Sequence, residues 1–319
     1  MTTDYIIFIH GVNVRDRRAY EIQADRMFQN IKAAVNNPSR TLKPVILFWG
    51  DIAADSVITL HDGLESSSKW KEFWFKDLRN EQVLPFVGDA AMYLSRFVSS
   101  KIVQQITTQA LDQIGLSVEE LKNPPKEDRL HLVTHSWGTV IFFDILFASR
   151  WEDPEPLVSK DTRNQIEHIR RGFFGIGGSE EEKGYGIPLA SIHTMGSPIA
   201  LFNLVNIQGA RSFNFTPKLK ELLAALKDRL GKPLLWKNYA HPGDPIAYPL
   251  EGLIPLFFAK TQDLVQVEDV MSPTSWIGQA FGQSILSIVN GGTAHGSYWT
   301  ERKVAQMIGN VIRSTQNQP

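Results

Sequence analysis

The chain of 319 residues contains no cysteine. Disulfide scaffolds, thiolate nucleophiles and cysteine-ligated zinc are thereby excluded, and folding is indifferent to the redox state of the compartment. Neither sign of charge is in surplus, since 33 Lys and Arg stand against 34 Asp and Glu for a formal net charge of -1. That balance argues against a nucleic-acid footprint, which needs a basic excess, and against an acidic, solvating tail. The eight histidines are scattered, and no His-x-x-x-His pair is accompanied by a third ligand, so no metal site is expected. No apolar run approaches the roughly 18 residues that a membrane helix requires; Leu253 to Ala259 is short and carries a proline. Met1-Thr2-Thr3-Asp4 leads into apolar sequence without a basic stretch, so no secretory signal and a cytoplasmic location are expected. Internal repeats and low-complexity linkers are also lacking.

What remains is ordinary globular composition, 43% hydrophobic and 21% charged, with material for a large core. Tyr5-Ile6-Ile7-Phe8-Ile9 and Pro44 to Gly50 are continuous apolar runs of strand type, and between them residues 19–36 carry apolar residues at helical spacing. Strand, helix, strand is a βαβ unit and predicts a mostly parallel central sheet flanked by helices. Further strands are expected at 130–134, 189–195, 233–239 and 264–270, with helices at about 139–149, 216–230 and 300–313. Residues 55–122 are too long for one crossover helix and read as a crossover helix plus a helical cap, with a helical stretch from Val87 to about Leu116. Residues 151–187 read as a polar, glycine-rich surface loop, and 250–290 as an irregular apolar insertion. One domain, 1–319, with inserted cap elements at 55–122, 151–187 and 250–290 fits this pattern.

The chemistry gathers around Thr134-His135-Ser136-Trp137-Gly138, where an apolar strand turns into a helix. A serine on such a turn is forced into a strained backbone that lifts its hydroxyl above the sheet, and the following N–H lies at a helix N-terminus. The usual form is Gly-x-Ser-x-Gly; here threonine replaces the first glycine, crowding the strand–helix approach. A serine serving simply as a helix N-cap is the alternative. In an open parallel sheet, ligands meet the loops beyond the carboxyl ends of the strands. Four of those ends carry suggestive residues: His10-Gly11, Ser136, Asp244 and His295. Serine, carboxylate and histidine in that chain order supply a nucleophile, an orienting group and a base. Asp51 and His241 are the rival acid and base. His135, adjacent to the serine, is expected beneath the turn, and His193 to be a satisfied core residue.

With these motifs the chain resembles the α/β-hydrolase superfamily, in its lipase-like members. Gly196-Ser197-Pro198 resembles the turn after the next strand in many lipases. Gly243-Asp244-Pro245-Ile246 and His295-Gly296-Ser297-Tyr298-Trp299 resemble the acid and histidine loops of class 3 lipases. The resemblance implies a minimal α/β-hydrolase fold, with Ser136 as nucleophile, His295 as general base and then acid, and Asp244 orienting it. The implied oxyanion hole is the backbone N–H of Trp137 with that of Val12, supported by His10, Gly11 and Gly138. His10 capping the strand end, and Gly11 serving only as a turn glycine, are the structural alternatives.

These residues need no cofactor and point to a small-molecule ester or lipid substrate. Aromatic residues at 70, 73–75, 257, 258, 276 and 281 line an acyl pocket under a cap on one reading, and pack a core on the other. Acyltransferase, thioesterase or peptidase chemistry uses the same triad, and a non-catalytic binding domain of the same fold is the reading from a different class.

Overall fold

In a computed structural model, the described residues are 2–52, 54–72, 84–94, 96–117, 120, 124–148, 151, 160–173, 186–202, 216–253, 263–272 and 294–316. Six strands, β1 (Thr2–Ile9), β2 (Arg40–Leu47), β3 (Arg129–His135), β4 (Leu189–Met195), β5 (Leu234–Ala240) and β6 (Val265–Met271), form one sheet. Its order is β2-β1-β3-β4-β5-β6, and every neighbouring pair is parallel. The central runs are apolar on both faces because helices cover both. The strands leave β1 in opposite directions after β2 and β3, so a crevice opens between β1 and β3 at their carboxyl ends. The register Ile9↔Thr134 brings residues 10–14 beside residue 136.

One face is covered by α1 (Arg17–Val35) and the C-terminal helix, Arg302–Gln316. Gly309 is where these two helices meet, since a Cβ there would lie 2.6 Å from the Cβ of Ala34. Over the other face and beyond it lie α2 (Ala54–Glu65), α3 (Leu84–Leu94), α4 (Arg96–Ile114), α5 (Trp137–Phe147), α6 (Lys160–His168), the single turn α7 (Ile199–Phe202) and α8 (Pro217–Leu230). The C-terminal helix is α9. One sequence expectation changes. The helical stretch expected from Val87 to about Leu116 is found as α3 and α4, but the loop expected over 151–187 contains α6 and a wider helical turn, Ile169–Phe173. The buried side of α6 is one residue, Ile166, too little apolar periodicity to read as a helix. Of the expected aromatic pocket, Trp70 is described, buried and donating to Glu65 at 2.8 Å; the others lie outside the described residues. Among the described residues no helix is long and apolar enough to cross a membrane.

The open edge at β2 is closed by side chains. Gln113 of α4 accepts from the Ile46 N–H at 2.7 Å and donates to its C=O at 2.8 Å, and Gln109 does the same at Phe48, at 2.8 Å each. Gln105 adds a bond to the Phe48 C=O at 3.1 Å. The match is one of pitch: two residues of strand advance about 6.6 Å, and four of helix about 6 Å. Each amide thus stands in for a strand residue and satisfies groups that an edge otherwise presents to other chains.

Beneath α1 and α9, starting at the amino end of the sheet, a buried polar row crosses five strands. Arg40 donates to Asp4 at 2.7 and 2.8 Å, and His131 to Asp4 at 3.4 Å. His131 reaches Ser191 at 2.7 Å, Ser191 reaches His193 at 2.9 Å, and His193 reaches Tyr239 at 3.3 Å. Burial alone would raise the Asp4 pKa, but the bonds from His131 and Arg40 outweigh it and hold it at about 2, below its usual 3.8.

Two outcomes follow. Gln109→Leu leaves the Phe48 N–H unpaired and removes one of the two bonds at its C=O, so urea unfolding should show a loss of about 1–3 kcal/mol, and light scattering should show concentration-dependent association. Because the folded pKa of Asp4 lies below the unfolded one, its stabilisation is complete above about pH 4 and is lost as pH falls toward about 2. Asp4→Asn should cost about 3 kcal/mol or more near pH 7, and urea midpoints between pH 4 and 2 should fall less steeply in the variant than in the parent.

Candidate active site

β3 ends at His135 and α5 begins at Trp137, leaving Ser136 alone at the turn. An N-cap serine has extended backbone and accepts an N–H with its side chain. Ser136 does neither: its φ of 53° and ψ of -127° lie in a region costing about 1–3 kcal/mol for a side chain, and its hydroxyl makes no capping bond. The strain is held from both sides. The Ser136 N–H donates to the Met195 C=O at 2.9 Å, and its own C=O accepts from Thr139 at 3.0 Å. The threonine in place of the expected glycine is accommodated, because Thr134 Oγ1 bonds Thr139 Oγ1 at 2.9 Å across the strand–helix crossing.

Two glycines set how closely the chains approach. A Cβ on Gly11 would lie 2.5 Å from the Ser136 Cβ and 2.9 Å from its Oγ, and one on Gly138 would lie 2.5 Å from the His10 C=O. His10 is buried in the same contact, and desolvation pushes its pKa down to about 3, so the ring is neutral. Its Nε2 accepts the Trp49 N–H at 3.1 Å, which leaves the proton on Nδ1 to be donated to the Gly11 C=O at 2.6 Å. Trp49 stacks on the ring at 5.3 Å and returns an indole bond to the His10 C=O at 3.0 Å. In a trans peptide the C=O and N–H point opposite ways, so the Val12 N–H is aimed away from the His10 ring.

Asp244 and His295 arrive from the loops after β5 and before α9. His295 Nδ1 donates to Asp244 Oδ2 at 2.8 Å, and the Tyr298 hydroxyl donates to the same oxygen at 2.9 Å. The other oxygen accepts the Ile246 N–H at 3.0 Å. Burial would raise the Asp244 pKa, yet the bond and charge of His295, the Ile246 amide and the Tyr298 hydroxyl together bring it below the usual value. An ionised Asp244 keeps the His295 proton on Nδ1 and leaves Nε2 an acceptor. Among the described residues both His295 Nε2 and Ser136 Oγ are buried without a hydrogen-bond partner, and they do not bond one another.

Asp51 and His241 are placed elsewhere. Asp51 accepts from Gln105 at 2.8 Å near the β2 edge, and His241 Nδ1 turns into its own loop to accept the Gly243 N–H at 3.0 Å. His193 sits in the buried row below. His135 packs against the histidine loop rather than under the turn alone. Neutral because burial, then repulsion from His295, lowers its pKa to about 3, it donates from Nε2 to the His295 C=O at 2.7 Å, with the two rings 4.7 Å apart. A histidine beside Ser136 carried no sequence signal for this, because the contact spans 160 residues of chain. Gly196, noted only as part of a turn, has φ of +59°, and a Cβ there would lie 2.9 Å from Asp244 Oδ2 and 3.0 Å from the His295 ring. Among the described residues no three His, Asp or Glu side chains gather as metal ligands would.

The Tyr298 hydroxyl accepts the His241 N–H at 2.8 Å while donating to Asp244, so it fastens the acid loop to the histidine loop. Tyr298→Phe should leave that N–H unsatisfied and cost about 1–3 kcal/mol, read by thermal unfolding. Compared with known proteins, the chain matches no protein-family model, no curated protein and no solved structure.

Proposed function

We propose that the chain is a serine hydrolase of the α/β-hydrolase type that cleaves carboxylic esters. One observation carries the reading: a serine in strained backbone, its hydroxyl neither capping the helix nor otherwise bonded, shares a crevice with an Asp244–His295 pair whose Nε2 is likewise buried and unbonded. Buried polar groups are as a rule hydrogen-bonded; Ser272 Oγ also lacks a partner among the described residues, so the reading rests on the strained serine together with the Asp244–His295 pair rather than on unmet bonding alone.

In this reading the Ser136 oxygen attacks the ester carbonyl while its proton passes to His295 Nε2, and Asp244 stabilises the imidazolium that forms. The carbonyl oxygen, now anionic, is met by the Val12 and Trp137 N–H groups, the latter at the amino end of α5. Collapse expels the alcohol, which takes the proton from His295, leaving an acyl group on Ser136. Water then repeats the sequence, with His295 as base, and releases the acid. Transfer to an alcohol instead of water would follow the same path. Ser136 and His295 do not bond one another, as expected of a binding domain that has kept the fold, although catalytic hydrogen bonds are commonly long before substrate binds.

A fluorescent fluorophosphonate separates these readings. The parent should label and Ser136→Ala should not, and p-nitrophenyl esters should be hydrolysed with kcat reduced about 10⁴-fold in Asp244→Asn. A folded parent that neither labels nor hydrolyses any ester would favour the binding domain.

A further inference from the structure

We propose that Asp89 of α3 is a positioning residue that holds the loop after β1 in the shape the oxyanion requires, so that docking of the helical insertion and the chemistry at Ser136 are linked; this rests on the hydrolase reading above. Asp89 lies in the inserted element 55–122, outside every motif of the sequence, yet its side chain is fully buried. It is buried by the loop carrying Val12. Arg15 forks onto it, with Nη2 to Oδ1 at 2.6 Å and Nη1 to Oδ2 at 3.0 Å, and the Asn13 N–H donates to Oδ2 at 2.8 Å.

The loop needs such a hold. Asn13 is left-handed at φ 59°, a conformation that a free loop would leave. Arg15 also donates to the Gly50 C=O at 3.1 Å, and Gly50 meets the loop so closely that a Cβ would lie 1.7 Å from the Val14 C=O. His10 fixes the Gly11 C=O from one side, and Asp89 fixes the Asn13 N–H from the other. The Val12 N–H lies between these two fixed points. Four residues further along α3, and so on the same side of the helix, the Tyr93 hydroxyl donates to Asp144 Oδ2 at 2.7 Å. Asp144 belongs to α5, whose first turn carries the Trp137 N–H. A single face of α3 thus grips both elements that supply the oxyanion donors.

Asp89→Ala is the suitable variant, because it leaves behind an arginine that is 30% exposed, whereas removing Arg15 would strand a buried carboxylate. Kinetics on an ester and the matching thionoester read the oxyanion directly, since sulfur fits poorly where N–H donors are set for oxygen. The variant should lose about 10- to 100-fold in kcat on the ester with little change in KM, and much less on the thionoester, so the ratio of the two rates falls. Equal losses on both substrates, or no loss on the ester, would overturn the proposal and leave Asp89 a structural partner of Arg15. Should the parent hydrolyse neither substrate, the hydrolase reading fails on its own account. Amide exchange then tests the clasp: exchange across residues 12–15 should quicken at least about tenfold in Asp89→Ala beyond any change at β3, and equal protection would overturn it.

Discussion

The end of β1 and the turn after β3 lie closer together than two side chains allow, and the rest of the site is arranged around that contact. Gly11 against Ser136, and Gly138 against the His10 carbonyl, leave no room for a Cβ on either glycine. The contact arises where the strand order reverses between β2-β1 and β3-β4, which is also where a parallel sheet opens a crevice. Once the two backbones are this close, Ser136 has nowhere to lie but the left-handed turn between them. Its neighbours become the loop 10–15 on one side and the β4–β5 loops on the other.

Polar groups around this contact differ in how completely they are satisfied. His10 and His135 are neutral through burial and each spends a ring N–H on a backbone carbonyl, fixing the Gly11 peptide and the His295 loop respectively. Asp244 is bonded by His295, Tyr298 and Ile246 together. Ser136 Oγ and His295 Nε2 are left without a partner among the described residues, as is the hydroxyl of Tyr20, whose ring packs on His10. Desolvated, unpaired groups are costly. Here a surround of satisfied ones bears the cost, as expected where strain and unmet bonding are kept for a purpose.

Below the crevice the sheet is insulated from other chemistry. The row from Arg40 to Tyr239 is hydrogen-bonded from strand to strand within the face under α1 and α9, and the glutamines of α4 close the β2 edge. These features have the same logic: groups that a parallel sheet must bury, or leave at an edge, are paired by side chains at matching spacing.

Much of this was legible in the sequence. Continuous apolar runs marked the strands because a strand covered on both faces has no polar side to show, and the order Ser136, Asp244, His295 followed from loops that leave strand ends. Gly11 was readable as a turn glycine, but only the fold shows that its hydrogen faces the Ser136 side chain. What only the tertiary structure decided are the long-range contacts: His295 against Asp244, Asp51 against Gln105, His135 against the histidine loop, and Asp89 against Asn13 and Arg15. Gln105, Gln109 and Gln113 repeat every four residues, yet nothing local says that their partner is a strand about sixty residues earlier. Periodicity reports what a segment buries, whereas hydrogen-bond partners depend on which segments meet, and only the folded chain sets that.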